Sequence, residues 1–304
     1  MWMKFLLAGL GVAAVAFGGL IAKRTQAERA RTHLVDDLRA AALSVSPLVV
    51  RTSDLTDLPV PVQRYFAHVL RDGQPAVEAV RIEQSGTFRG DATGNWSQFT
   101  ATQHVTIRPP GFVWDASIRM LPLLPVRVLD AYHDGQGLLQ ARVGGVVTVM
   151  DAAPSPELDE GELLRYLAEA PLYPTALLPE MGVRWTPIDD HSARATLTDR
   201  ETTASLVFHF NERNEVTRVE GRRAFTQDDG TSDDRPWIGY WRRYRDREGM
   251  RVPTEGEVAW IHPNVGEASY WRGRMDRLVY RMGKKNEPQS PMPGGSAGAA
   301  VSEH

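Results

Sequence analysis

Residues Phe112–Met120, "FVWDASIRM", put Phe112, Trp114, Ala116, Ile118 and Met120 at alternate positions, with Val113, Asp115, Ser117 and Arg119 between them. Successive side chains of a strand point to opposite faces, so a period of two marks a half-buried strand with one apolar face.

The pattern repeats outward. "LVFHF" (Leu206–Phe210) alternates in the same way, "NERNE" (211–215) reads as a turn, and "VTRVEG" (216–221) as the returning strand. "DGQG" at Asp134–Gly137 and "PNVGE" at Pro263–Glu267 are further turn signals. Short strands joined by tight turns make an antiparallel meander. No repeat of fixed period and no Gly/Ser linker divides residues 77–282. A sheet of about nine or more strands must curl or close, and its concave side must be covered by the chain's own helices or by a ligand.

Helical periodicity appears at Gln26–Leu43, at Pro61–Leu70, where Val62, Tyr65, Phe66 and Val69 share a face, and within Glu157–Leu178. The last includes "GELLRYLAEAPLYPTALLPE" (Gly161–Glu180), where Pro171 and Pro174 break the helix while the chain stays apolar through Leu177 and Leu178. The prolines end one helix after Glu169 and redirect the chain, so that Tyr173–Leu178 crosses the concavity as a lid or a plug, with the lid favoured. The expected class is α+β: an N-terminal membrane-anchor helix, then a large curved antiparallel, half-barrel-like sheet with helices packed on its concave face.

Composition narrows the chemistry. The chain has no cysteine, which excludes disulfides, thiolate metal sites and a Cys nucleophile. Its four lysines are Lys4, Lys23, Lys284 and Lys285, so the folded region holds neither a Schiff-base lysine nor a P-loop lysine. A net charge of -3 offers no clustered basic surface for nucleic acid.

Phe5–Ala22, "FLLAGLGVAAVAFGGLIA", is uncharged and bounded by Lys4 and Lys23-Arg24. Its length approaches the roughly 20 residues that span a bilayer, and no small-x-small cleavage site follows it. The expected organisation is an anchor or signal segment over 1–24, a helical stalk and linker over 25–57, the sheet domain over 58–282, and a disordered Pro/Gly/Ser-rich tail over 283–304. Lys23, Arg24, Arg29 and Arg31 outnumber Lys4, which favours a cytoplasmic domain by the positive-inside rule without fixing the side.

Catalytic signatures are missing: the chain contains no H-E-x-x-H, no G-x-S-x-G and no G-x-G-x-x-G between a strand and a helix. The eight histidines lack ligand-like spacing, and His209, between Phe208 and Phe210, reads as solvated or satisfied. Asp228, Asp229, Asp233 and Asp234 in "TQDDGTSDDRPW" do not match a Ca²⁺ loop. Trp237, Trp241, Trp260 and Trp271, interleaved with Arg242, Arg243, Arg245 and Arg272, read as cross-strand and arginine stacking within the sheet.

Three stretches together resemble an uncharacterised bacterial family, a domain of unknown function often preceded by a membrane anchor. They are "RYLAEAPLYPTALLP" (165–179), "VLDAYHDGQG" (128–137) and "PWIGYWRRYRDREGMRVPTEGEVAW" (236–260), and the resemblance runs from about Leu58 to Tyr280. The chain departs from that pattern at Leu172, where many members carry Trp. More distantly, "LVFHFNERNEVTRVEG" and "REGMRVPTEGEV" are similar to lipoprotein-carrier (Lol-type) half-barrels. That resemblance implies an apolar concavity that binds acyl chains beneath a helical lid.

The leading expectation is therefore a membrane-anchored, non-catalytic domain that binds a lipid, acyl chain or other hydrophobic ligand. Phe112, Trp114, Ile118, Leu163, Leu167, Leu177 and Leu178 would line the pocket, with no cofactor, no metal and no nucleic acid. The alternatives are a hydrolase using Asp130, His133 or Glu169, and a ligand-free scaffold.

Overall fold

The computed structural model describes residues 2–42, 49–120, 124–226 and 232–283. After helix α1 (Trp2–Ala42) come a 3₁₀ turn (Thr52–Leu55) and α2 (Val60–Val69). Six strands follow: β1 (Val77–Phe88), β2 (Ser97–Thr106), β3 (Gly111–Ile118), β4 (Val126–His133), β5 (Gln136–Val143) and β6 (Val147–Asp151). Helix α3 (Pro156–Glu169) then leads through 3₁₀ turns into β7 (Val183–Asp189), β8 (Ser192–Asp199), β9 (Thr202–Phe210), β10 (Val216–Thr226) and β11 (Ser232–Arg242). A small hairpin, β12 (Arg245–Arg247) and β13 (Met250–Val252), precedes β14 (Glu255–His262) and the long β15 (Gly266–Met282).

Thirteen strands form one curved antiparallel half-barrel, in the order β6-β5-β4-β3-β2-β1-β15-β14-β11-β10-β9-β8-β7. Each arm is a meander of neighbours in sequence, except that β11 pairs with β14 across the separate β12–β13 hairpin. The arms are joined where the last strand returns to the first, with Val77 opposite Met282 and Phe88 opposite Trp271. The sheet curls until hairpins of opposite arms touch: Arg200 pairs with Asp134, and Tyr132 Oη donates to Asp199 Oδ2 at 2.9 Å.

The alternation in Phe112–Ile118 holds. Phe112, Trp114, Ala116 and Ile118 enter the main core on the concave face, together with α2 and α3. Helix α1 does not join them. Its Leu34, Val35 and Leu38 pack on Val113, Ala131 and Leu129 of the convex face, and Arg31 pairs with Asp115. The stretch expected to be a stalk is thus bound to the sheet, and Val50 and Leu55 beyond it are buried too. Among the described residues no helix is long and apolar enough to cross a membrane. Most side chains of Phe5–Ala22 lie outside the described residues, as does the expected tail from residue 284 onward.

Helix α3 starts as its sequence dictates: Ser155 Oγ accepts from Leu158 N at 3.2 Å, with Pro156 in the first turn. It ends at Glu169, and three 3₁₀ turns follow (Ala170–Leu172, Pro174–Leu177, Pro179–Met181), each with a proline in its opening positions.

Candidate functional site

The seven residues expected to line a pocket do converge. Phe112, Trp114, Ile118, Leu163, Leu167, Leu177 and Leu178 belong to one core and are at most 5% exposed. The chain itself fills the space between them. Trp241 Nε1 donates to the carbonyl of Ala168 at 3.0 Å, Tyr280 Oη to Leu172 at 2.7 Å and Trp185 Nε1 to Leu177 at 2.9 Å. The backbone N–H of Val77 donates to Thr175 Oγ1 at 3.0 Å. Six leucines of this segment (163, 164, 167, 172, 177 and 178) are buried. At roughly 1.5–3 kcal/mol each, exposing them would cost on the order of 10 kcal/mol, comparable with the whole stability of a domain. Pinned from four strands, the segment is a plug, and the preference for a lid is corrected.

Beneath α3 lies a charged cluster. Glu162, Arg165 and Glu169 share one helix face. Arg165 pairs with Asp130 of β4 and, at 2.9 Å, with Glu169; Arg223 of β10 reaches Glu162 at 3.4 Å. A polar relay continues from Glu169, which accepts from Gln103, while Gln84 donates to Gln103 at 3.1 Å and Trp114 Nε1 donates to Gln84 at 2.7 Å. The Arg165 guanidinium also lies 4.8 Å from the Phe112 ring centre and 5.0 Å from that of Trp114.

Two guanidinium groups thus face three carboxyl groups. Burial, and then the Asp130 carboxylate, push the Glu162 carboxyl well above its usual range, outweighing Arg223 and Arg165. A protonated Glu162 balances the charge. Glu162 holding that proton can donate to the Asp130 side chain, and each residue has a buried oxygen, Oε2 and Oδ1, otherwise without a partner. Burial alone would lower the pKa of Arg165, but Glu169, Asp130 and Glu162 raise it, so it stays charged.

Asp130 and Glu169, two of the three residues considered for hydrolysis, therefore meet through Arg165. His133, an odd number of residues along β4, faces the other side of the sheet, in the hairpin opposite Gln136. His209 is satisfied, 3.0 Å from Glu220. Asp233 pairs with Arg235 and Asp234 with Arg222, while Asp228 and Asp229 lie outside the described residues. Among the described residues no group of three or more His, Asp or Glu side chains is placed to hold a metal.

Away from the plug the concavity is lined by aromatic side chains. Phe88, Trp260, Tyr270 and Trp271 are half-buried. Trp260 stacks on Tyr270 at 6.2 Å, Trp271 on Phe99 at 5.7 Å, and Phe99 meets Trp114 at 5.9 Å. Trp237 Nε1 donates to Tyr270 Oη at 2.9 Å. A register shift in the β14–β15 ladder, between Val258/Trp271 and Ala259/Ser269, explains how the consecutive residues Tyr270 and Trp271 both turn inward. Gly86, Gly273 and Gly256 are aligned across three strands; Gly273 and Gly256 make room for the flat indoles, and Gly86 for the backbone of Arg272. A Cβ at Gly273 would lie 2.2 Å from the Trp271 ring, and one at Gly256 2.8 Å from that of Trp241. Arg223 lies 5.7 Å from the Trp260 ring centre; Arg235 lies 3.9 Å from that of Phe225 and donates to His262 Nδ1 at 3.1 Å. The sequence signal for this mouth was the tryptophan-rich stretch 236–271, but period-two reading cannot see a bulge.

A search of curated proteins finds no match for the chain. Among solved structures, it is similar to a DUF1329 family protein from Desulfovibrio piger (9% identity, TM-score 0.39, covering 69% of this chain and 88% of that one). It is also similar to a Vibrio parahaemolyticus domain assigned to outer membrane lipoprotein sorting (9%, TM-score 0.37, 74% and 93%). A third likeness is a LolA superfamily protein from Nitrosomonas europaea (13%, TM-score 0.29, 72% and 93%). At TM-scores below 0.5 these likenesses carry no functional argument. Residues 56–280, which include both arms of the sheet, the plug and the mouth, match a family of unknown function, and the chain belongs to that family, DUF6920.

Proposed function

We propose that the protein is a membrane-tethered, non-catalytic domain that binds a lipid, acyl chain or other hydrophobic ligand at the open, aromatic end of its concave face. The observation that carries this reading is the inward turn of Tyr270 and Trp271 at the bulge, beside half-buried Trp260 and Phe88. Half-exposed aromatic rings in a concavity, flanked by Arg223 and Arg235, suit a ligand with an apolar body and a polar or anionic end. Trp114 and Ile118, adjoining Phe99, form the inner wall of this mouth. Phe112, Leu163, Leu167, Leu177 and Leu178 serve the plug, and a ligand touches them only if α3 moves. The use of Asp130 and Glu169 by Arg165 supports binding over hydrolysis. The uncharged run Phe5–Ala22 supports the tether.

Tryptophan fluorescence of the full chain, titrated with a doxyl-labelled fatty acid, tests the binding site. Saturable quenching that is lost in Trp260→Ser and Trp271→Ser supports it. Quenching that does not saturate, or that survives both substitutions, overturns it.

A further inference from the structure

Arg223 of β10 and Arg235 of β11 stand directly opposite each other in their ladder. Both meet rings of the mouth: Arg223 that of Trp260, and Arg235 that of Phe225, whose centre is 5.1 Å from Trp260. Like charges directly opposite destabilise a sheet, so each needs a counter-charge. Arg235 has its own. Its Nε lies 2.7 Å from Asp233 Oδ1, and it donates to His262 Nδ1 at 3.1 Å. Arg165 is likewise held between Asp130 and Glu169. Arg223 differs from both. Its Nη2 reaches Glu162 only at 3.4 Å, and its Nε is buried without a hydrogen-bond partner. Among the described residues Glu162 is the one carboxyl within ion-pair distance of Arg223, and Glu162 is the group that holds the proton of the cluster. The Arg223 guanidinium therefore faces a neutral acid, while the ionised carboxylates are committed to Arg165.

A guanidinium so placed is stabilised by an anion from outside the chain. The Arg223 side chain is 16% exposed and that of Glu162 3%, so an incoming group reaches the arginine first. Gly161 keeps room for it beneath α3, since a Cβ there would lie 2.9 Å from Arg223 Nη2. From Arg223 a row of half-buried rings continues across the sheet. The guanidinium lies 5.7 Å from the Trp260 ring, Trp260 6.2 Å from Tyr270, and Tyr270 6.4 Å from Phe88. The row runs from β10 to β1, four strand spacings of about 4.8 Å, or at most about 19 Å. That compares with one acyl chain, two of which make up the roughly 30 Å hydrocarbon core of a bilayer. One end of the row is cationic and the other apolar.

We infer that the ligand of the mouth is a single-chain amphiphile with an anionic head, a carboxylate or a phosphate ester, that Arg223 binds this head, and that the chain runs along Trp260 and Tyr270 toward Phe88. The inference rests on the binding reading above and adds to it the class and the direction of the ligand.

The methyl ester of the doxyl-labelled fatty acid serves as a neutral probe that quenches the tryptophans of the full chain. It is displaced by hexadecanoic acid, hexadecyl phosphate or hexadecanol, each below its micelle-forming concentration. The acid, the phosphate or both are expected to displace it at about tenfold lower concentration than the alcohol, as a charge-assisted hydrogen bond would give. The larger gap identifies the head group. In Arg223→Met the gap closes while probe and alcohol bind as before. Arg223→Gln, which keeps a donor toward Glu162, gives the same reading should the Met variant not fold. Phe88→Ser is expected to weaken acid and alcohol alike, severalfold, and to leave the gap intact; unchanged affinities there overturn the direction of the chain. Equal displacement by all three compounds in the parent overturns the anionic head and leaves the binding site standing. A gap that persists in both Arg223 variants assigns the head to another cation and overturns the role of Arg223. A probe that does not quench saturably in the parent removes the binding reading, and the inference with it.

Discussion

The two ends of the concave face use the same sheet differently. At the plugged end, Leu163, Leu167, Leu172 and Leu177 have no measurable exposure, and the backbone of their segment is held by side chains from β7, β11 and β15. At the mouth, Trp260, Tyr270 and Trp271 lie half-buried, with ring against ring and indole over glycine. Aliphatic side chains that interlock with a proline-shaped segment leave no space, because protein interiors pack as densely as organic crystals. At the mouth the rings cover one another and the glycines, and their edges stay half-buried. The half-barrel is therefore filled completely at one end and less completely at the other, and the charged cluster of Asp130, Glu162, Arg165, Glu169 and Arg223 lies beneath the helix that closes one end.

The contrast can be broken most strongly at the cluster. Arg165→Met leaves Asp130 and Glu169 without their cation and is expected to lower stability by about 3–5 kcal/mol, read from the urea midpoint. Leu167→Ala, at a fully buried position of the plug, is expected to lose about 2–5 kcal/mol by the same measurement. If it loses less than about 1 kcal/mol, the segment behaves as a lid after all.

Between the two regions, Gly273→Ala pushes a methyl group into the Trp271 ring. It is expected to cost about 1–3 kcal/mol and to shift the tryptophan emission as that ring tilts.

Glu162→Gln sharpens the comparison through pH. The folded state raises this carboxyl above its unfolded value of 4.5, so its favourable contribution is complete below that pH. It is lost as pH rises through the folded value. Gln mimics the protonated form, so the variant should equal the parent near about pH 4 and exceed it increasingly above, by up to about 1.4 kcal/mol per pH unit within that window. Urea midpoints across pH check the sign, and a parent that gains stability over the variant as pH rises would refute the proton assignment.

The smallest effect on stability is expected at the mouth. Trp260→Ala should cost less than about 2 kcal/mol, since the ring is already partly in water, while removing much of the fatty-acid quenching. A loss as large as that of Leu167→Ala would mean the mouth is core.

Much of this was legible in the residues. Alternation in Phe112–Ile118 and Leu206–Phe210 revealed the antiparallel strands, since side-chain direction along a strand is a local property. Pro171 and Pro174 showed where α3 must stop, because a proline ring cannot continue a helix. The seven residues chosen from sequence as a pocket lining are buried in the main core, and five of them pack with the plug. Nothing local distinguishes a leucine that meets a ligand from one that meets its own chain. The mouth was harder still, because a bulge between β14 and β15 breaks the alternation that would otherwise turn one of Tyr270 and Trp271 outward.

Local chemistry by itself determined that this chain forms strands and turns, a proline-ended helix and an uncharged N-terminal run, and that cysteine and lysine chemistry are absent from its core. Only the tertiary structure decided that Val77 meets Met282 and joins the two arms, that Arg165 finds Asp130, and that α1 lies on the convex face with its Leu38 over Gly111. Those pairings join residues far apart in sequence. They are selected by the register and curl of the whole sheet, where one residue of slip would turn every side chain of a strand to the other face.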